Sequence, residues 1–288
     1  MKKSANAEIG IFGGTGIYDL DDIQDVRDEW LETPYGAPSA HFRIGTVCGR
    51  RVAFLARHGE FHRLLPSEIP YKANVWAMKK LGVRKILSPS AVGSLREELP
   101  PRTLVVPDQY LDRTRHRPDT FFGDGIVAHV SLGDPFSEGL RQALVTGAKS
   151  LDLPVQDGGT YVCMEGPQFS TRAESKWYRS LGGDVIGMTS LTEARLCREA
   201  EIAYASLCMV TDYDAWRESE EAVVVSEILE VLKANVEAAR QVLCATMPHV
   251  PEGPLPENDS LAHAILTPLH EVPEETKIRL GPILGRYL

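Results

Sequence analysis

The sequence predicts an α/β protein with a largely parallel or mixed sheet. Short apolar runs alternate with segments of helical periodicity along most of the chain, and the runs end in small turns rich in glycine or hydroxyl groups. Composition agrees: 43% hydrophobic and 25% charged residues over 288 residues is the mix of a soluble globular protein, long enough to bury a core without disulfide or metal support. The length favours one large domain, or one with an appended segment.

The elements follow in order. Residues 9–12 read as a strand running into Gly13-Gly14-Thr15-Gly16, and residues 51–56 as a strand ending at Arg57-His58-Gly59. An amphipathic helix spans about 70–81, with Ala73, Trp76, Ala77 and Leu81 on one face and Gly82 as its stop. Residues 84–87 enter a strand that runs into Ser88-Pro89-Ser90-Ala91, and 103–106 form another. In the second half, helices are expected over 135–151, 171–181 and 192–201, and strands over 160–164, 184–186 and 203–210. The clearest helix covers about 222–247, where Val225, Ile228, Leu229, Leu232, Val236, Ala239 and Leu243 form one stripe. After Met247 the composition changes: residues 248–288 hold seven of the 19 prolines. That tail is not expected to carry a sheet. It is read as wrapping over the domain or a neighbouring subunit, with a disordered extension as the alternative.

Charge and cysteine usage narrow the function classes. Lys+Arg is 31 and Asp+Glu is 40, a formal net charge of −9. That disfavours a general nucleic-acid or anionic-membrane binder but leaves room for one small anion in a cleft. Five scattered cysteines (Cys48, Cys163, Cys197, Cys208, Cys244) with no C-x-x-C pair argue against a disulfide framework and a zinc site. The first eight residues lack an apolar core, so no signal peptide is read, and no apolar run is long enough to span a membrane. A reducing cytoplasm is the expected location.

Sites in such folds lie at the carboxyl ends of strands, and six stretches there carry chemistry. Gly13-Gly14-Thr15-Gly16 offers backbone N–H groups and a hydroxyl to an anion, although neither G-x-G-x-x-G nor a Walker A pattern is complete; a plain turn is the competing reading. In Arg57-His58-Gly59 a guanidinium fork suits phosphate and the imidazole adds a donor; a solvated loop or a His58/His62 metal pair competes. Ser88-Pro89-Ser90-Ala91-Val92-Gly93-Ser94 presents hydroxyls and backbone donors to a phosphate or sugar, without the G-x-S-x-G elbow of a nucleophile; an ordinary turn is the competing reading. Phe169, in Glu165-Gly166-Pro167-Gln168-Phe169-Ser170, suits a planar base or the core. Met188, in Gly187-Met188-Thr189, suits a sugar face or the core. Asp212 and Asp214, in Thr211-Asp212-Tyr213-Asp214-Ala215-Trp216, point the same way on an extended chain. In a closed pocket one of their pKa values is expected to rise and supply a general acid for a departing base; a metal site or a solvated loop competes.

Together, and in this order, these stretches resemble the purine nucleoside phosphorylase superfamily, and within it the 5′-methylthioadenosine phosphorylases. Thr33-Pro34-Tyr35-Gly36, Asn74-Val75-Trp76-Ala77, Gly93-Ser94-Leu95-Arg96-Glu97-Glu98 and Asp108-Gln109-Tyr110-Leu111-Asp112-Arg113-Thr114 add to the likeness, which covers about residues 9–247. The resemblance implies a single domain over 1–247, with a mixed, partly barrel-like central sheet flanked by helices, and the 248–288 tail packed on it or on a neighbour. It also implies a homotrimer with sites at subunit interfaces.

Residue by residue, the resemblance sets phosphate against Thr15, Arg57, His58, Ser90, the Ala91 backbone and Thr189, with Met188 under the ribose. Phe169 and Ser170 would border adenine, with Asp212 at N7 and Asp214 at the 6-amino group; Asp212, Asp214 and His58 form the catalytic set. Val225, Ile228 and Leu229 would form the methylthio pocket, reached by His129 and Leu266 from a neighbouring subunit. Two departures stand out: Gly187 occupies a position where many relatives carry Asn, and Pro89 interrupts the serine loop. The paired cysteines of some thermophilic relatives are absent, so no stabilising disulfide is expected.

The implied reaction is reversible phosphorolysis of methylthioadenosine, without metal or cofactor and with phosphate as co-substrate. Carboxylates at both base positions suit the donor of a 6-amino purine rather than the acceptor of a 6-oxo purine. The rivals are a 6-oxopurine nucleoside phosphorylase, a hydrolytic nucleosidase and a non-catalytic nucleoside-binding protein.

Overall fold

The two longest strands are built from runs of small and apolar residues, 85–94 and 203–212, which pair in parallel from Ala203 opposite Lys85 to Asp212 opposite Gly93. The computed structural model describes residues 7–14, 17, 23–217 and 225–288, with side chains of the last segment from 230 onward. Within these residues one sheet contains β1 (Ile9–Gly13), β2 (Gln24–Glu29), β3 (Phe42–Val47), β4 (Arg50–Ala56), β5 (Lys85–Ser94), β6 (Leu104–Val106), β7 (Gln109–Arg113), β8 (Val155–Asp157), β9 (Thr160–Met164), β10 (Val185–Gly187) and β11 (Ala203–Asp212). The helices are α1 (Tyr71–Lys80), α2 (Glu138–Lys149), α3 (Arg172–Ser180), α4 (Ser190–Glu199), α5 (Val225–Thr246), α6 (Glu274–Arg279) and α7 (Gly281–Leu284).

The sheet is mixed and forks at β5. One path runs β2-β3-β4-β1-β5-β10-β9-β7, and a branch adds β11, β6 and β8. β1 pairs in parallel with β4 and β5, while β10 pairs antiparallel with the far end of β5. β7 and β8 do not pair, but backbone bonds from Asp108 N–H to Gly159 O (3.1 Å) and from Gly158 N–H to Val106 O (2.9 Å) draw the two ends together. Ile9, Ile11, Leu87, Ala205 and Leu207 are fully buried in the main core, as strands covered on both faces require.

Several sequence expectations change. Ser88–Ser94, read as a loop, is strand, because its small side chains let β11 lie alongside. β11 runs to Asp212 rather than stopping at residue 210. β2, β3, β7 and β8 had no expectation; β2 (QDVRDE) is charged and almost wholly exposed, so it carries no apolar pattern. The expected absence of a disulfide is overturned: Cys48, in the β3–β4 turn, is bonded to Cys244 near the end of α5, with Cα atoms 5.5 Å apart across 196 residues of sequence. Sequence spacing does not reveal that the turn meets the helix end, where Arg50 Nη1 also donates to Met247 O (3.3 Å) and Val250 O (3.2 Å).

Residues 248–288 hold short helices and enter the main core through Leu261, Val272, Leu280, Ile283 and Leu284. Trp76 Nε1 donates to Arg279 O (2.9 Å), and Asn258 Nδ2 donates to Arg84 O (3.0 Å) and Glu201 O (2.9 Å).

Candidate active site

The ends of β4, β5, β9, β10 and β11 open onto one cavity of about 440 Å³, within the usual size range of a small-molecule site. Its walls include Arg57, His58, Ser90, Ala91, Phe169, Met188, Thr189, Asp212 and Asp214. Positions separated by more than 150 residues in sequence therefore meet.

On the anion side, Thr189 is the N-cap of α4, is buried, and makes no side-chain capping bond. Its hydroxyl and the helix N-terminus thus stand at the cavity, an arrangement favourable to negative charge. Arg57 lines the cavity but is 1% exposed and differs from the sequence expectation. Its fork closes on Glu193 of α4, with Nε to Oε1 at 2.5 Å and Nη2 to Oε2 at 3.0 Å, and Nη1 donates to Pro89 O at 3.1 Å. Ser88 Oγ and the Tyr204 hydroxyl each donate to Glu193 Oε2 at 2.8 Å. Burial works to lower the Arg57 pKa, but the Glu193 charge and hydrogen bond, together with Tyr204 and Tyr71, outweigh it and the guanidinium is held more firmly protonated. Gly14 permits this packing, since a Cβ there would lie 2.7 Å from Pro89 O and 2.8 Å from Arg57 Nη1.

His58 follows directly. Its Nδ1 lies 2.9 Å from the Leu64 carbonyl, an acceptor, so Nδ1 carries the hydrogen and Nε2 the lone pair. Burial lowers its pKa to about 3, so the ring is neutral at pH 7. His62 stacks on it with ring centroids 4.2 Å apart and is also shifted down by burial. Among the described residues no group of three or more His, Cys, Asp or Glu side chains is arranged to hold a metal ion.

On the opposite side, an irregularity between Val210 and Asp212 ends the β5–β11 ladder and re-aims the chain. Asp212 Oδ1 accepts from Thr211 Oγ1 at 2.6 Å. A Cβ on Gly93 would lie 3.3 Å from both Asp212 Oδ2 and Asp214 Cβ, so the two side chains flank the same point of β5. Asp214 is 6% exposed and its Oδ2 has no hydrogen-bond partner. Burial raises its pKa, while the Ser175 and Ser170 hydroxyls and the Ala215 N–H pull the other way. One carboxyl does rise, but the cause is burial rather than its neighbour's charge.

The remaining expectations divide. The Phe169 ring is 61% exposed at the cavity mouth. Ser170 is buried, does not line the cavity, and donates to Met164 Sδ at 3.8 Å. His129 and Leu266 lie together on the surface, joined through the Ala128–Ile265 bridge and a bond from Leu266 N–H to Val127 O (2.9 Å). Neither lines the cavity of its own chain. Thr15 and the side chains of Val225, Ile228 and Leu229 fall outside the described residues; Leu232, farther along α5, does reach the wall. Sequence reading missed Leu64, Leu65 and Pro66, whose apolar run after Arg57-His58 was the available signal, and it missed Glu193, which looked like an ordinary first-turn carboxylate.

The fold and cleft define a phosphorylase, and the chain's residues 8–247 match the family model described as Phosphorylase superfamily. S-methyl-5′-thioadenosine phosphorylase of Thermosynechococcus vestitus is 51% identical over 98% of this chain and 99% of its own length. That of Geobacter sulfurreducens is 49% identical over 97% and 99%. A methylthioadenosine phosphorylase crystal structure from an Antarctic soil metagenomic library superposes with TM-score 0.92 at 46% identity, over 97% of this chain and 99% of that one. The Schistosoma mansoni methylthioadenosine phosphorylase in complex with adenine gives 0.80 at 36% identity, over 84% and 91%. The chain belongs to the S-methyl-5′-thioadenosine phosphorylase family of that superfamily.

Proposed function

We propose that the chain catalyses reversible phosphorolysis of S-methyl-5′-thioadenosine, giving adenine and 5-methylthioribose 1-phosphate. The observation that carries this reading is the carboxyl pair of half-buried Asp212 and buried Asp214, which lines the same cavity as the Thr189, Ser90 and His58 cluster. Phosphate lies against Ser90, the Ala91 backbone, Thr189 and the α4 N-terminus. Neutral His58 accepts a P–OH hydrogen at Nε2, and Arg57 supplies positive charge whose direction Glu193 holds. Thr15 joins this set by its place in the sequence.

The C1′–N9 bond breaks with its electron pair passing to the purine, and positive charge builds on the sugar. A phosphate oxygen forms the new C1′–O bond from the opposite face. The Asp212 proton goes to N7, so adenine leaves neutral, and Asp214 accepts from the 6-amino group. Met188 lies under the ribose and Phe169 against the base, with Ser170 supporting from behind. Catalysis is positioning plus electrostatics, with no cofactor and no metal.

Adenine release measured with and without phosphate tests the reading, and activity in its absence would replace it with hydrolysis. Turnover of methylthioadenosine against methylthioinosine and inosine tests the purine preference. Asp212→Asn is expected to lose at least about 100-fold in kcat/KM for methylthioadenosine. Because the upward pKa shift lies on Asp214, Asp214→Asn measured beside it decides which carboxyl gives the proton.

Assembly belongs to the same reading: a homotrimer in which His129 and Leu266 complete a neighbour's methylthio pocket with Val225, Ile228 and Leu229. The exposure of Leu266 (63%) and Val127 (47%) on one patch supports it. Mass measurement in solution, with Leu266→Asp expected to give monomers of raised nucleoside KM, checks it. Residues 1–247 then form the catalytic domain and 248–288 an integral tail. No described helix is long and apolar enough to cross a membrane. A cytoplasmic location fits the metabolic substrate, and alkylation of Cys48 and Cys244 in fresh lysate tests it against an oxidising one.

A further inference from the structure

Gly187 departs from the expected pattern of the family, and the fold supplies a reason. β9 and β10 pair in parallel with Tyr161 opposite Val185 and Cys163 opposite Gly187, so Tyr161 and Gly187 are diagonal neighbours. A Cβ at position 187 would lie 1.9 Å from the Tyr161 hydroxyl and 2.6 Å from Cζ. The phenol therefore holds the space that a side chain at 187 would take.

Tyr161 is 0% exposed, and its hydroxyl has no hydrogen-bond partner. A buried hydroxyl without a partner is unfavourable and calls for a physical account. The Ser90 hydroxyl stands beside it. The Ser90 hydroxyl also makes a long contact of 3.5 Å to the Ala91 carbonyl. Ser90 and Gly187 both line the cavity, so the Tyr161 hydroxyl sits directly behind two of its walls. Burial raises the Tyr161 pKa well above the usual phenol value, so the group keeps its hydrogen and is a donor at neutral pH.

We propose that Tyr161 is a positioning residue for phosphate. Its O–H donates to Ser90 Oγ, leaving the Ser90 hydrogen free to point at a phosphate oxygen. Phosphate oxygens are chiefly acceptors and Ser90 has one hydrogen to give. A second donor behind Ser90 commits that hydrogen to the ligand rather than to the Ala91 carbonyl. Gly187 serves the same end by leaving the phenol its place. This inference rests on the reading that Ser90 touches phosphate.

Tyr161→Phe removes the hydroxyl and keeps the ring. Phosphate KM is expected to rise about fivefold while methylthioadenosine KM stays within about twofold. Tm should change by no more than a few degrees, because the buried ring and its packing are kept. In a Ser90→Ala background, which raises phosphate KM by itself, Tyr161→Phe should add nothing. Gly187→Ala should raise phosphate KM as well, with a lower Tm. An unchanged phosphate KM in Tyr161→Phe, or two independent additive effects, overturns the proposal while leaving Ser90 at the phosphate. An unchanged phosphate KM in Ser90→Ala overturns the underlying reading, and the Tyr161 role with it.

Discussion

Arg57 shows how much a residue's partners alter its chemistry. From sequence it is a free fork beside a histidine; in the fold its Nε and Nη2 rest on Glu193 and its Nη1 on the Pro89 carbonyl, with Ser88 and Tyr204 donating to the same carboxylate. The pair is 1% and 3% exposed, so neither charge has water as a substitute partner. Breaking a buried pair from one side costs about 3–5 kcal/mol, because the remaining charge stays uncompensated. Glu193→Gln is therefore expected to lower stability by about that amount in urea unfolding, with the largest kinetic change in phosphate KM. A loss below about 1 kcal/mol would mean that Arg57 finds another counter-charge. Asp214 is the reverse case. Burial, with a smaller push from the Glu174 charge, drives its carboxyl toward the protonated form that base chemistry can use, against the Ser175, Ser170 and Ala215 hydrogen bonds.

At the scale of elements, legibility followed apolar pattern. α1, β9 and α3 came out near their expected bounds, α3 helped by the Thr171–Glu174 capping box. β2 and β8 did not, since charged or very short edge strands carry no period to read. The strand-end stretches were legible as sites because parallel strands all deliver their carboxyl ends to one edge. Ser170 and Glu193 show the limit, since which of two adjacent polar groups faces the cavity depends on packing. The Cys48–Cys244 link is likewise a contact between a turn and a helix end. It clamps α5, whose Leu232 lines the cavity. Closing so long a loop is worth about 2–4 kcal/mol, so Cys48→Ser or reduction should lower Tm, read by calorimetry with and without reductant. An unchanged Tm would mean that the link adds nothing to the packing already there.

For the molecule as a whole, the tail and the acidic surface matter most. Leu261, Val272, Leu280, Ile283 and Leu284 are each no more than 3% exposed, so a chain ending at Met247 would bare a large apolar face. Such a truncation is expected to be insoluble or molten, as monitored by near-UV circular dichroism; a cooperative melt at the full-length Tm would show the tail to be dispensable. Glu199 gives the pH dependence. Burial raises its carboxyl from 4.5 to about 7, against the opposing bonds from Phe121 N–H and Thr120 Oγ1. The folded state then keeps a proton that the unfolded chain releases above about pH 4.5. This contribution is fully present below that pH and is lost as pH rises through about 7, on the order of 3 kcal/mol in all. Glu199→Gln should flatten the urea stability curve across that window, whereas a parallel curve would remove Glu199 as its source. Sequence alone determined the fold class, because periodicity is a local property of the chain; the family followed from the resemblance of its ordered motifs, and the strand-end chemistry marked stretches that the structure brings to one cavity. Only the tertiary structure decided that Arg57 is held by Glu193, that Cys48 meets Cys244, that the tail is core, and that Gly187 makes room for Tyr161. Each of these is a contact between distant segments, set by how the sheet forks and packs rather than by any pattern along the chain.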